Sequence, residues 1–239
     1  MRQVPSFTEY LILGRGRVAT HFSRYFELLG LPFQQWDRSQ PEELLAKKAE
    51  HCSHVLFLIS DDAIKPFSQI HGDLFNQMVR VHFSGALCLE SIHSAHPLYT
   101  FADQVYDLAT YRSIPFMIDT RVKLDEILPG LSNPSFALDP AQKTFYHALC
   151  VMSGNFTTML WEKAFAEFDA KLGLPREALL PYLIQICANL EAGVNGNSVL
   201  TGPLVRKDLG TIAKHVQALE GDPFQDVYKS FVAAYEKQR

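Results

Sequence analysis

The sequence predicts an α/β fold, a parallel sheet with helices on its faces, followed by an all-helical region. Three observations carry this expectation. Short apolar runs alternate with helical stretches through the first half of the chain. Residues 55–59, "VLFLI", are apolar at every position, as a strand buried between two helix layers must be. From Asp139 onward only helical periodicity remains.

Taken in order, strands are expected at residues 10–13, 33–36, 55–59 and 79–83, with weaker ones at 115–118 and 135–138. Helices are expected between them, as at 18–29 and 41–50. In "LDPAQK" Asp139 suits the N-cap and Pro140 the first helical position, a strong helix start. Helices then follow at about 141–172, 175–193, 205–219 and 223–237, with stop signals at "GLP" and "GDP". This places a domain boundary near Asp139, giving residues 1–138 and 139–239. No internal repeat or low-complexity stretch is visible.

The 239 residues are 47% apolar and 20% charged, enough for a sizeable core. A net charge of −4 gives no electrostatic case for nucleic acid or an anionic membrane. The start "MRQVPSFTEY" has no apolar leader, and no run approaches the ~18 apolar residues of a membrane span. A soluble, cytoplasmic protein is expected. Cys52, Cys88, Cys150 and Cys187 lie far apart without a C-x-x-C pair and read as buried reduced thiols. "HCSH" and the His93/His96 pair raise a metal site, but His51 and His54 would point to opposite faces of an extended segment. No metal is expected.

Gly14-x-Gly16-x-x-Ala19 follows the first strand and opens the first helix. That is the setting in which such glycines hold a dinucleotide: Gly14 for the tight turn, Gly16 for the approach of a pyrophosphate, Ala19 for close helix–sheet packing. Arg17 and Val18 then open the helix whose free N–H groups face the phosphates. The second strand ends in "WDRS". Asp37 suits the ribose 2′-hydroxyl of NAD, whereas Arg38 and Ser39 form a pocket for the 2′-phosphate of NADP, which is favoured. The third strand runs into "ISDDAI", placing Ser60, Asp61 and Asp62 at the carboxyl end of the sheet where ligands sit, with helix capping as the alternative. Ser84, in "HFSGAL", either meets the nicotinamide end or caps a turn into the next helix.

"RVHFSGAL", "HPLYTFAD", "LDPAQKTFYHALCVMSGNF" and "LTGPLVRKD" resemble, in this order, the Rossmann-like proteins that carry the DUF2520 domain. These are relatives of the 6-phosphogluconate, ketopantoate, prephenate and pyrroline-carboxylate dehydrogenase/reductase group. The resemblance implies an NADP-type Rossmann domain, a helical C-terminal domain like that of 6-phosphogluconate dehydrogenase, and a homodimer through the helical domain. The stretch between "TFAD" and "LDPAQK" is shorter than is typical, and "SIPFMI" stands where "GVPFAI" is usual.

Hydride transfer needs a proton donor or acceptor beside the reacting carbon. His96, in a His-Pro pair resembling that of prephenate dehydrogenases, is expected on a loop near the nicotinamide end. Lys143 and His147 lie four residues apart, on one helix face. β-Hydroxyacid dehydrogenases carry Lys and then Asn at this spacing, so His147 is a departure. Asn155 matches the family's "GNF" position. Thr201 and Arg206, in the Gly/Pro-punctuated stretch 197–208, are candidate contacts for an anionic substrate. For each, a structural role is the alternative. The leading expectation is an NADP-dependent oxidoreductase acting on a small carbonyl, imine or hydroxy compound. The rival is a cofactor-binding sensor or scaffold without turnover.

Overall fold

Residues 10–13, "YLIL", have no exposed side chain, and they form the strand at the centre of the core. A computed structural model describes residues 8–193 and 198–238. The chain divides after Trp161 into two compact units. The first begins with β1 (Tyr10–Leu13), α1 (Arg17–Leu29), β2 (Phe33–Trp36), α2 (Glu42–Ala49), β3 (His54–Phe57), α3 (Asp61–Ile70) and β4 (Val79–His82). There follow β5 (His93–Pro97), α4 (Leu108–Ser113), β6 (Phe116–Asp119), α5 (Leu124–Ile127), β7 (Ser135–Leu138) and α6 (Lys143–Cys150). The helix continues through a π-helical turn at Val151–Phe156 into α7 (Thr157–Ala170).

The seven strands stand in the order β2-β1-β3-β4-β5-β6-β7, all parallel except the antiparallel β5–β6 pair. Chain order reverses at β1, between β2 and β3, the kind of switch point where open α/β sheets leave a crevice. Alternation along β1 splits the core: Tyr10 and Ile12 pack with Phe22 and Phe26 of α1, while Leu11 and Leu13 pack with Leu45 of α2 and Phe75. α1 ends at Gly30, whose φ of 67° is the left-handed cap geometry.

β5 is the strand that sequence pattern does not announce. His93–Pro97 has no apolar alternation, and its place comes from its neighbours: Val81 and His82 of β4 pair with His93 and Ser94, and Ala95 pairs with Ile118 of β6. His96, expected on a loop, is therefore on a strand. Beyond β5, residues 98–107 cross to α1. Arg17 Nε donates to Asp103 (2.9 Å), and His21 Nε2–H donates to the Ala102 carbonyl (2.8 Å). A carbonyl only accepts, so His21 Nδ1 is left to accept from the Tyr111 hydroxyl at 2.9 Å.

The expected 141–172 helix is continuous but not uniform, with Gly154 and Asn155 inside the π turn, and it stops at Gly173 in the left-handed region. α6 and the π turn belong to the first unit, so the change of sequence character at Asp139 and the division of contacts fall at different places. The second unit holds the end of α7, α8 (Leu180–Gly193), α9 (Pro203–Arg206), α10 (Leu209–Ala218) and α11 (Phe224–Lys237). The single helix expected at 205–219 is broken, because Lys207 turns to φ 56° and Asp208 caps α10 by accepting from Thr211 N (3.0 Å). Lys163 ties α7 to Asp222 and, at 2.7 Å, to Glu167. Of the four cysteines expected to be buried, Cys52 is, Cys150 is half-buried, and Cys88 and Cys187 are exposed. Asn197, at the head of the 197–208 stretch, lies outside the described residues. Among those described, no helix is long and apolar enough to cross a membrane.

Asn133 pins the α4 corner. Its Nδ2 donates to the Tyr111 (2.7 Å) and Ile114 (2.9 Å) carbonyls while Oδ1 accepts from the Tyr25 hydroxyl at 2.7 Å. Asn133→Ala strands these buried groups and is expected to cost about 2–3 kcal/mol, read from the urea unfolding midpoint.

Candidate functional site

The crevice at the β1/β3 switch point is a groove of about 600 Å³, within the usual size for small-molecule sites. Gly14 shapes its floor. With φ at 117°, its missing side chain would stand 2.2 Å from the Leu58 carbonyl oxygen, so no other residue fits. Gly16 differs: a side chain there would meet nothing within 4 Å, and no side chain caps the α1 N-terminus behind it. The first-turn amides of α1 are thus offered to the groove, where an anion would complete them. The turn is fixed by Gly14 N donating to Trp36 O at 2.8 Å and by Gln35 Nε2 donating to Gly14 O at 2.8 Å.

Of the residues expected on a cofactor, Gly14, Gly16, Arg17, Val18, Arg38, Ser60, Asp61 and Ser84 line this groove together, joined by Arg15 and Trp36. Ser39 and Asp62 do not line it. Ser39 instead closes a turn, its N–H (2.8 Å) and Oγ–H (2.6 Å) both donating to Asp37 Oδ1, which holds the Asp37 carboxyl below its ordinary value. Neither Asp61 nor Asp62 is the α3 cap. Ser60 holds that position without a side-chain bond, and both carboxylates sit in the first turn, where the helix dipole favours them. Asp61 accepts from Ser84 Oγ at 2.5 Å. Ser84 Oγ in turn accepts from Leu87 N (2.9 Å), so it closes a turn rather than opening a helix.

Gly85 follows Ser84 in the chain, and two imidazoles stand over it. A side chain at Gly85 would lie 2.4 Å from His147 Cδ2 and 3.0 Å from His96 Nε2. The rings meet edge to face, centroids 5.7 Å apart. His147 reaches this place from α6, whose inward face is Lys143, Tyr146, His147 and Cys150. Lys143 anchors the helix. Only 3% exposed, its ammonium donates to Ser94 Oγ and to the Ser84 carbonyl at 3.3 Å. Ser94 N donates to the buried Asp119 carboxylate at 2.8 Å, which connects that charge to the ammonium. The crevice around Lys143 leaves no room for a water molecule. Burial pushes the ammonium below its ordinary range, with Asp119, Cys88 and Asp61 acting against it.

His96 and His82 are neutral for the same reason. Burial takes His96 down to about 4, aided by His147 and Lys143, and takes His82 down to about 3, aided by Lys143 and His96. His82 has no exposed surface, and neither ring nitrogen has a hydrogen-bond partner. His96 Nδ1 lies 2.7 Å from the Tyr146 hydroxyl. Tyr146, His82, Ser94 and Asp119 were not picked out in the sequence. The available signal was the inverted face of α6, where Lys143, Tyr146, His147 and Cys150 hold the i, i+3, i+4, i+7 places that apolar residues ordinarily occupy. Asn155 is exposed in the π turn, and Thr201 and Arg206 belong to the second unit, so groove and cluster are built from the first unit alone.

Two outcomes follow. Gly14→Ala is expected to cost about 3 kcal/mol through backbone strain and overlap, whereas Gly16→Ala changes the unfolding midpoint by no more than about 0.5 kcal/mol. For His82, the unfolded chain takes up a proton near pH 6.5 that the folded chain refuses until about 3. Its contribution is therefore intact above pH 6.5 and falls by about 1.4 kcal/mol per unit below it. Urea unfolding between pH 5 and 8 measures this slope, which His82→Leu flattens by that amount.

Residues 117–235 match the family described as "Domain of unknown function (DUF2520)". No curated protein matches. The fold is shared with BF3122 from Bacteroides fragilis, named a "putative NADP oxidoreductase", at 22% identity and a TM-score of 0.72, covering 97% of this chain and 98% of that one. TM1727 from Thermotoga maritima is 21% identical with a TM-score of 0.62, over 95% and 97% of the two chains. Pyrroline carboxylate reductase from Plasmodium falciparum, solved with NADP bound, is 13% identical with a TM-score of 0.58, over 97% of each chain. At these identities the likeness is one of fold. With its sheet ordered around the glycine turn, the chain has a Rossmann-type fold, and its residues from β6 to α11 match the DUF2520 domain.

Proposed function

We propose that this protein is an NADP-dependent oxidoreductase that reduces a small carbonyl or imine compound or oxidises the corresponding product. The observation that carries this reading is where the groove ends. It runs from Arg38 past the open backbone at Gly16 to Ser84, and the next residue in the chain is Gly85, against which His96 and His147 stand. Its residues fit the cofactor. The uncapped α1 N-terminus suits a pyrophosphate, and the guanidinium groups of Arg15, Arg17 and Arg38 suit a 2′-phosphate. The Plasmodium reductase with NADP bound supports the same choice.

Bound there, a dihydronicotinamide supplies a hydride to an electrophilic carbon. The chain supplies the rest. His147, half-buried over Gly85 and acting as the imidazolium, gives a proton to the heteroatom that takes up the electron pair and is left as the neutral imidazole. His96 orients that heteroatom from the buried side. Lys143, enclosed without room for substrate, acts by fixing α6. A homodimer through the helical region is supported by Phe145, Leu149, Met152, Phe156 and Met159, an exposed apolar stripe along α6 and α7.

The test is a Trp36 fluorescence titration with NADPH and with NADH, since Trp36 lines the groove. NADPH is expected to bind more tightly, and Arg38→Ala to weaken NADPH about 10–100-fold with little effect on NADH. Binding of neither nucleotide overturns the reading. With a turned-over substrate, His147→Ala is expected to lower kcat about 10²–10⁴-fold. NADPH binding with no turnover across a carbonyl and imine panel would favour a sensor.

A further inference from the structure

We propose that Tyr146 fixes the tautomer of His96, so that Nε2–H stands over Gly85 as a neutral donor and the site selects a carbonyl over an iminium. The selectivity rests on the reductase reading above; the tautomer does not.

The Tyr146 hydroxyl and His96 Nδ1 are 2.7 Å apart, so a hydrogen lies between them. Burial raises the Tyr146 phenol well above its ordinary value and holds His96 near 4, so phenol and imidazole are both uncharged at neutral pH. The groups that act on His96 or adjoin it are His82 from β4 and Lys143, Tyr146 and His147 from α6. Charge on Lys143 or His147 opposes a second positive charge on His96. Two arrangements of the hydrogens are open. In one, Tyr146 donates to Nδ1; in the other, Nδ1–H donates to Tyr146, whose own proton must go to Cys150, its other partner.

The first is the stronger. An imidazole nitrogen is a much better acceptor than a thiol sulfur, and a thiol S–H is a serviceable weak donor to a phenol oxygen. Donation therefore runs from Tyr146 O–H to Nδ1. The ring proton is left on Nε2, the atom 3.0 Å from where a Gly85 side chain would be.

A neutral N–H in that place makes a chemical choice. A carbonyl oxygen has a lone pair to accept it, whereas a protonated iminium presents an N–H and no lone pair, leaving two donors opposed. His96 keeps its proton throughout. The proton that completes reduction comes from His147, so no charge has to form on the buried Tyr146.

The test needs neither nucleotide nor substrate. Two-bond ¹H–¹⁵N correlation spectra of the full chain with ¹⁵N-labelled histidine report each ring nitrogen, with His96→Gln assigning the His96 signals. The expected spectrum has an unprotonated Nδ1 and a protonated Nε2, unchanged from pH 5.5 to 9. Tyr146→Phe is expected to convert it to a mixture of tautomers. A protonated Nδ1 or an imidazolium at pH 7 in the wild type overturns the proposal, even if the variant fails to fold, and an unchanged spectrum in Tyr146→Phe overturns the role of Tyr146. With NADPH, the kcat/KM ratio for a keto acid over a cyclic iminium acid of similar size is expected to exceed ten, and to fall at least tenfold in Tyr146→Phe. A ratio below one overturns the selectivity. Absence of NADPH binding would defeat the oxidoreductase reading and leave the spectrum to decide the tautomer.

Discussion

The site hangs on the Lys143 ammonium. It is held by Ser94 of β5 and by the Ser84 carbonyl, just past the end of β4. These bonds seat the first turn of α6 on the carboxyl end of the sheet. Everything the helix then contributes is placed by its 3.6-residue repeat: Tyr146 comes to His96, and His147 comes to Gly85. An exposed lysine could have made similar bonds, but water would compete for them. With no space for water beside it, the ammonium has only these partners, and the helix has one seat.

Such an anchor has electrostatic consequences for its neighbours. A buried cation makes any further positive charge nearby expensive, and His82 and His96 are both held neutral beside it. Asp119 supplies the counter-charge through the Ser94 backbone rather than by contact with the ammonium, and its Oδ2 also lies 3.9 Å from His93 Nδ1. Gly85 is part of the same arrangement, since only a residue without a side chain lets two rings settle on the sheet edge. His82 is the imperfect member. Two unpartnered nitrogens in a fully enclosed ring make it the least comfortable group in the cluster.

Much of the first unit was legible in the sequence because its signals are local. β1 is apolar throughout and β3 is apolar after His54, the glycine turn has its own pattern, and the Asp139-Pro140 helix start is a backbone motif. What escaped notice depends on partners distant in sequence. β5 is a strand because β4 and β6 offer it ladders, not because "HSAHP" favours one. Lys143 reads equally well as a solvated first-turn residue until Ser84 and Ser94, fifty-nine and forty-nine residues away, are brought beneath it. Asp208 is a local signal too, and it divides one expected helix into two by capping α10.

The passage of residues 98–107 over α1 has a mechanical consequence. Arg17 opens α1 beside the glycine turn and is bound to Asp103, while Pro97, directly after His96, begins the same stretch of chain. The start of α1 and the strand that holds His96 are therefore joined in series by a short tether outside the sheet, as well as by the sheet itself. Any pull on Arg17 is transmitted along that tether toward the strand that holds His96. The His21 bond to Ala102 acts as a clamp partway along, taking up the load before it reaches the ring.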